Sequence, residues 1–289
     1  MHKPRPDSYE DLLRTFSVDV PENCNFVRHV LDPMAAENPE RTAMVHVDDA
    51  RVRREYDFRH FAERSRRLAH ALTERGVKKG HRVMLILYRR VEYWEAMLAL
   101  HRIGAIPIPS PSLLTEKDIA ARVEYADISA VICEDSITER VQAARAHCPG
   151  LRLLVQAGEA DLPDGWEAYE ALMDEGDPAF APDDAPGGDD PMVVFFSSGT
   201  TGPPKMVAHN FTYPWGHYTT GALWHDLEPG DVHLTLSDTG WAKSVWGKFY
   251  GQWMAGAVVF VWDFRGKFTP ADLLIILADN EVTTFCAPP

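Results

Sequence analysis

At 289 residues, 45% hydrophobic and 25% charged, the chain has the make-up of a soluble globular protein with room for two α/β lobes or one large one. Its formal net charge of −14 argues against a nucleic-acid surface, which needs clustered Lys and Arg, while leaving room for a local phosphate pocket. No stretch approaches the roughly eighteen apolar residues of a membrane span, and the N-terminal MHKPRPDSYEDLLRTF has no apolar signal core, so a cytoplasmic protein without a membrane span is expected.

From Arg82 onward, short apolar runs alternate with helical patterns. VMLIL (83–87) reads as a buried strand, VEYWEAMLALHRIG as a helix stopped by Gly104, and AIPIP as another strand. A helix around EKDIAARVEYA, the strand SAVIC, a helix near ITERVQAARAH and the strand LRLLV follow. Strands apolar on both faces, joined by helices, predict a parallel sheet covered on both sides. The cysteines Cys24, Cys133, Cys148 and Cys286 are scattered, with neither a CxxC pair nor metal-ligand spacing, and are read as reduced thiols.

No Lys or Arg occurs between Arg152 and Lys205, and DEGDPAFAPDDAPGGDD concentrates Asp, Pro and Gly. Prolines and glycines give those carboxylates no fixed geometry, so the stretch reads as a solvated linker rather than a metal site. Alternation then resumes through MVVFF, KMVAH, a helix after Phe211, DVHLTL, a helix around SVWGKFYGQWMAG, AVVFVW, a helix in TPADLLIILADN, and VTTFC. The expected organisation is α/β, with two parallel-rich sheets flanked by helices. A first subdomain occupies 1–190, with its acidic linker at 157–190, and a second, incomplete one occupies 191–289. A second sheet ending on its newest strand points to a piece of a longer polypeptide.

The loop after MVVFF, in VVFFSSGTTGPPKMVAHN, is placed at the carboxyl edge of a sheet, where open α/β sheets bind ligands. Ser197, Ser198, Thr200 and Thr201 offer hydroxyls, Gly199 and Gly202 allow backbone N–H groups to converge on an anion, and Lys205 adds a positive charge. That set suits a polyphosphate, although composition alone fits a flexible turn equally well. The rival GxxxxGK[ST] loop needs a helix starting at its lysine. Here Pro203 and Pro204 precede Lys205, no Ser or Thr follows it, and MVAH looks extended.

SSGTTGPPKMV resembles the signature loop of the adenylate-forming superfamily, which includes acyl- and aryl-CoA synthetases, luciferases and peptide-synthetase adenylation domains. Ser198, Gly199, Thr200, Thr201, Gly202, Pro204 and Lys205 match its Ser-Gly-Thr-Thr-Gly-x-Pro-Lys pattern, and Met206, in place of the usual glycine, is typical of the medium-chain acyl-CoA synthetase branch. LSDTGWAKSVWGKFYGQWMAGAVVFVW and TTFCAPP resemble segments that build the acyl pocket of that branch. NPERTAMVHVDD and GVKKGHRVMLIL resemble the superfamily's early strands. The resemblance runs from about Ser8 to Pro289 and implies the N-terminal part of a synthetase large domain.

The activity so implied has two steps. A carboxylic acid attacks the α-phosphate of MgATP and expels pyrophosphate; the thiol of CoA then displaces AMP. The resemblance assigns ATP phosphate binding to Ser197, Ser198, Gly199, Thr200, Thr201, Gly202 and Lys205, and a medium-chain, branched or aromatic acid to a tunnel bounded by Trp224, Trp241 and Trp246. Lys243 would meet the acid's carboxylate or extend to solvent, and Cys286 would line the same tunnel or be a plain buried thiol. ATP, Mg2+ as MgATP, and CoA are the implied cofactors and co-substrates; no metal site of the chain's own is expected.

Asp238 reads as a local loop anchor, since an acid already ionised at neutral pH needs no general base. His209, His217, His225 and His233 recur every eight residues, a spacing that does not match the three or four of helical ligand pairs. The superfamily's ribose-binding aspartate and its C-terminal lysine motif are absent from the sequence, so the chain by itself is expected to be inactive. The reading from a different class is a non-catalytic nucleotide-binding or interaction module on the same fold.

Overall fold

The computed structural model describes residues 3–197 and 205–288. Helices α1 (Tyr9–Thr15) and α2 (Asp32–Glu37) precede the antiparallel strands β1 (Thr42–Val47) and β2 (Arg53–Asp57) and the long helix α3 (Phe58–Glu74). The alternating region comprises β3 (Arg82–Ile86), α4 (Glu92–Ile103), β4 (Ile106–Pro109), α5 (Glu116–Tyr125), β5 (Ile128–Glu134), α6 (Thr138–Arg145) and β6 (Leu153–Ala157). After β7 (Glu167–Ala168) and α7 (Tyr169–Glu175) come β8 (Pro191–Ser197), β9 (Lys205–Asn210), α8 (Tyr213–Thr219) and β10 (Val232–Thr235). The last elements are α9 (Ala242–Gly247), α10 (Tyr250–Met254), β11 (Val258–Trp262), α11 (Pro270–Asp279) and β12 (Thr284–Cys286).

The α/β expectation of parallel-rich sheets flanked by helices holds. One sheet is wholly parallel, in the order β4-β3-β5-β6-β7, and the other is mixed, in the order β12-β10-β11-β1-β2. Sheet membership crosses residue 190, however. β1 lies parallel to β11, Met44 opposite Val259 and Val47 opposite Trp262, so the mixed sheet draws strands from both ends of the chain. The β8 run does not extend a parallel sheet either. It pairs antiparallel with β9, the next segment of the chain, and packs against β4; the short connection makes that local pairing the cheaper closure.

The acidic stretch 157–190 is less open than its composition suggests. Tyr169, Leu172 and Met173 repeat at helical spacing and bury one face of α7 against α3. Beyond α7, Asp190 and Asp184 pair with Lys79 at 3.0 and 3.6 Å, and the Pro186 carbonyl accepts from Asn25 and Arg28. The single helix expected over SVWGKFYGQWMAG is broken at Lys248 and Phe249, whose backbones leave the helical region between α9 and α10.

Strand alternation builds five layers. Val83 and Leu85 of β3, Ala130 and Ile132 of β5, and Val259 and Val261 of β11 point into one shared core, together with α3, α4 and α10. Opposite faces are covered separately: Met84, Ile86 and Val131 meet α5 and α6, while Val45, Phe260 and Leu234 meet α11. The middle layer is sandwiched between two sheets, so every residue of α4 is buried, which explains why its pattern shows no polar stripe. Gly104 stops the helix at φ 71°, where a Cβ would also collide with Lys79 and Pro186 at 2.9 Å. Among the described residues, no helix is long and apolar enough to cross a membrane.

Polar groups on so buried a helix must be paired. Glu95, fully buried, accepts from Arg64 Nε and Nη2 at 2.9 and 3.1 Å, from His60 at 2.7 Å and from the Tyr169 hydroxyl at 2.9 Å. His101 meets the Tyr250 hydroxyl at 2.7 Å, and burial pushes its pKa down to about 3. Arg102 reaches Asp32 and the Ser65 hydroxyl. Burial raises the pKa of Glu95, but hydrogen bonds from His60 and Arg64 outweigh it and hold the carboxyl below the usual glutamate value.

Glu95→Gln should therefore cost about 3 kcal/mol at neutral pH, the low end for a broken buried pair, because Arg64 keeps Glu170. The Glu95 contribution is complete above the unfolded-state pKa and is lost as pH falls through the lower folded value. Denaturant unfolding of both proteins should thus show the gap closing in acid.

Candidate functional site

The antiparallel register of β8 and β9 sets Ser197 opposite Lys205. The Ser197 hydroxyl donates to the Lys205 carbonyl at 3.4 Å, and both residues are exposed. Ser198, Gly199, Thr200, Thr201 and Gly202 lie outside the described residues, as do Pro203 and Pro204. Lys205 opens a strand rather than a helix, so the arrangement differs from a GxxxxGK[ST] loop, where the lysine begins a helix aimed at phosphate.

The loop SDTGW, between β10 and α9, is stapled to the edges of both sheets. Asp238 Oδ1 accepts from the Gly240 N–H at 2.7 Å, the local anchor its position suggested, and Oδ2 accepts from the Ser112 hydroxyl at 3.3 Å. The buried Thr239 hydroxyl is shared between the carbonyls of Leu87 and Tyr88, just past β3. Ser244 closes the turn by donating to the Thr239 carbonyl at 3.1 Å. Gly240 passes so close to the other sheet's loop that a Cβ would stand 2.2 Å from Pro111 N and 2.3 Å from Ser110 C.

This anchored loop presents α9, and α9 presents the residues assigned to an acyl pocket. Trp246 is nearly parallel to His225 and to Trp224, with ring centres 5.9 Å apart in each case and planes inclined by 13° and 15°. Lys243 Nζ lies 5.6 Å from the Trp246 ring centre, within cation–π range. His225 Nδ1 accepts from the Gln252 amide at 3.0 Å, which leaves its proton on Nε2. Burial pushes the pKa of His225 down, aided by Lys243, and that of the adjoining His233 to about 3, so both imidazoles are neutral at neutral pH.

Trp224, Lys243 and Trp246 are thus brought together, although 22 residues separate the two tryptophans. Trp224 is 64% exposed and Trp241, the residue preceding α9, is 49% exposed. Both indoles are thus open to solvent rather than packed in a core. Cys286 is half-buried on β12, in register with Thr235, whose hydroxyl donates to the Gly247 carbonyl at the end of α9. The other histidines join a separate row: His209 stacks on Tyr213 at 3.9 Å, and Tyr213 meets His217 edge-on at 4.3 Å.

Sequence reasoning missed the neighbouring cleft. About 450 Å³ in volume, it is lined by Tyr88, Ser112, Glu134, Arg140, Asp238 and Arg265. Arg265 bridges the sheets, meeting Glu134 at 3.1 Å and Asp263 at 3.1 Å. Arg140 donates to the carbonyls of Ser112 and Leu114 at 2.9 and 2.7 Å. The available signal was positional: Tyr88, Glu134, Asp238 and Arg265 each stand at or just beyond the carboxyl end of an apolar strand, the edge that binds ligands in open sheets.

Gly240→Ala should push the SDTGW loop off Ser110 and Pro111 at a cost of about 1–3 kcal/mol, the range for overpacking. A fall in thermal midpoint with a red-shifted tryptophan emission is the expected result. An unchanged melt and spectrum would show that the two sheet edges are not held by this contact.

A family model described as AMP-binding enzyme matches residues 31–289. The chain is 32% identical to the mouse mitochondrial acyl-coenzyme A synthetase ACSM3 over 291 residues, covering 98% of this chain and 49% of that protein. It is also 32% identical to human ACSM5 over 277 residues, covering 93% of this chain and 47% of that protein. The chain therefore spans about half the length of the curated relatives it matches. Among solved structures, an acyl-CoA synthetase of Brucella canis superposes with a TM-score of 0.85 at 22% identity, over 98% of this chain and 52% of that one. An anthranilate CoA ligase, AuaEII, bound to anthranoyl-AMP, superposes at 0.82 with 21% identity, over 92% of this chain and 50% of that one. With the family model matching most of its length and acyl-CoA synthetases sharing its fold, the chain belongs to the AMP-binding enzymes.

Proposed function

We propose that these residues form the triphosphate-binding and acyl-binding part of an AMP-forming acyl-CoA synthetase acting on a medium-chain, branched or aromatic acid. The observation that carries the reading is the aromatic platform of the exposed Trp224 and the half-buried Trp246 with Lys243 beside it, α9 being fixed at the sheet edges by the SDTGW loop. An apolar tail would lie against the indoles while the ammonium meets the carboxylate. The adjoining cleft gives room for a phosphate-bearing substrate.

In this mechanism the acid's carboxylate oxygen attacks the α-phosphorus of ATP, which enters with Mg2+, and the bond to pyrophosphate breaks. CoA thiolate then attacks the acyl carbon and AMP leaves. Ser197, the segment from Ser198 to Gly202, and Lys205 would hold the departing phosphates, lowering the barrier by position and charge rather than by covalent chemistry. Cys286 and Trp241 would border the acyl tunnel. The relatives' length supports a longer working polypeptide. These 289 residues alone would then be inactive.

ATP–pyrophosphate exchange over a panel of acids tests the reading. A polypeptide containing these residues and completed to the relatives' length should show acid-dependent exchange, reduced about 100-fold or more by Lys205→Ala, while the isolated chain shows little. No acid-dependent exchange by the longer protein would overturn the synthetase reading in favour of a non-catalytic nucleotide-binding module. Robust exchange by the isolated chain would overturn the need for more.

A further inference from the structure

Lys248 stands where the chain leaves α9 for α10 and is 2% exposed. Lysine is seldom buried so completely. Its Nζ donates to the Ser237 carbonyl at 2.6 Å, at the far end of the loop that precedes α9. The same Nζ lies 6.0 Å from the ring centre of Trp94, whose indole N–H donates to the Lys248 carbonyl at 3.1 Å. Ser237 and Lys248 bracket Asp238, Thr239, Trp241, Lys243 and Trp246, so one side chain closes the whole pocket segment upon itself.

We propose that Lys248 is a positioning residue for segment 237–248, seated against the Ser237 carbonyl when uncharged and released from it when protonated. Only the identification of this segment with an acyl pocket rests on the proposed function; the clasp stands on the hydrogen bond and the burial. As an ammonium, Lys248 carries three donors, and the Ser237 carbonyl is the acceptor the structure gives it. The charged groups facing it are Arg89 from the turn after β3, Asp238 from the loop after β10, and Asp263 past β11. Arg89 is itself fixed, with its guanidinium between the rings of Tyr88 and Phe264 at 4.2 and 3.8 Å and Nη1 donating to the Phe264 carbonyl at 3.0 Å.

Burial, with Arg89 adding repulsion, pushes the pKa of seated Lys248 down to about 7, although Asp238 and Asp263 pull the other way. Released into water, the side chain would return towards its ordinary 10.5. The open segment therefore binds the proton more tightly than the closed one, and acid favours opening. His225, stacked on Trp246, and the adjoining His233 also titrate with lowered pKa values, so the test must separate them from Lys248.

Hydrogen exchange of amides 237–248 in the 289-residue chain, corrected for intrinsic rates, makes that separation. Between about pH 8.5 and about pH 6, the wild-type segment should lose roughly thirtyfold in protection, the ratio set by values of 7 and 10.5. Lys248→Met, which cannot titrate, should keep the segment closed across that range. Lys248→Arg, which cannot discharge, should leave it open throughout. Protection of β3 to β6 serves as the folding control. If Lys248→Met does not fold, wild type and Lys248→Arg still decide: equal pH responses in those two would overturn the clasp. So would a wild-type segment indifferent to acid, or a folded Lys248→Met that opens as wild type does.

Discussion

A helix buried on every side sets the terms for the rest of this molecule. Because α4 lies between two sheets, both sheets bury their inner faces against the same helical layer, and their relative position follows from how that layer packs. Three polar side chains of α4 then take partners from other elements: Glu95 draws in Arg64, His60 and Tyr169, Arg102 draws in Asp32, and His101 draws in Tyr250. These contacts tie together α2, α3, α7 and α10, which lie far apart in the chain.

With the sheets so fixed, their carboxyl edges meet at one place, and SDTGW crosses it. Thr239 reaches past β3, Gly240 rides on the turn after β4, and Asp238 takes the Ser112 hydroxyl. The loop thus converts a packing constraint in the core into the placement of α9, and with it the placement of Trp246 and Lys243 beside Trp224. Preorganisation of this kind lets a site bind without first ordering its own side chains.

Much of this was readable beforehand. VMLIL and AVVFVW are apolar at every position, and SAVIC and LRLLV at all but one, because each has a core on both faces, and that local signal survives folding. The glycine stop at Gly104 and the local bond of Asp238 were readable for the same reason, being set within a few residues. What escaped was long-range. Nothing near TAMVHV says that its parallel partner lies some two hundred residues on, so the division at residue 190 could not show the mixed sheet. The acidic stretch hid α7, because composition outweighed the spacing of Tyr169, Leu172 and Met173. Arg140 and Arg265 went unremarked since nothing local marks an arginine as cleft-lining rather than solvated. Lys248, similarly, reads as a surface lysine until its burial is known.

The most direct test of the account is a crystal structure of the chain with an acyl-adenylate that carries a medium-chain or aromatic acyl group. The account predicts the acyl group against the indoles of Trp224 and Trp246, near Lys243, with the SDTGW loop still fastened to the end of β3. An acyl group bound elsewhere, with that platform left bare, would contradict it.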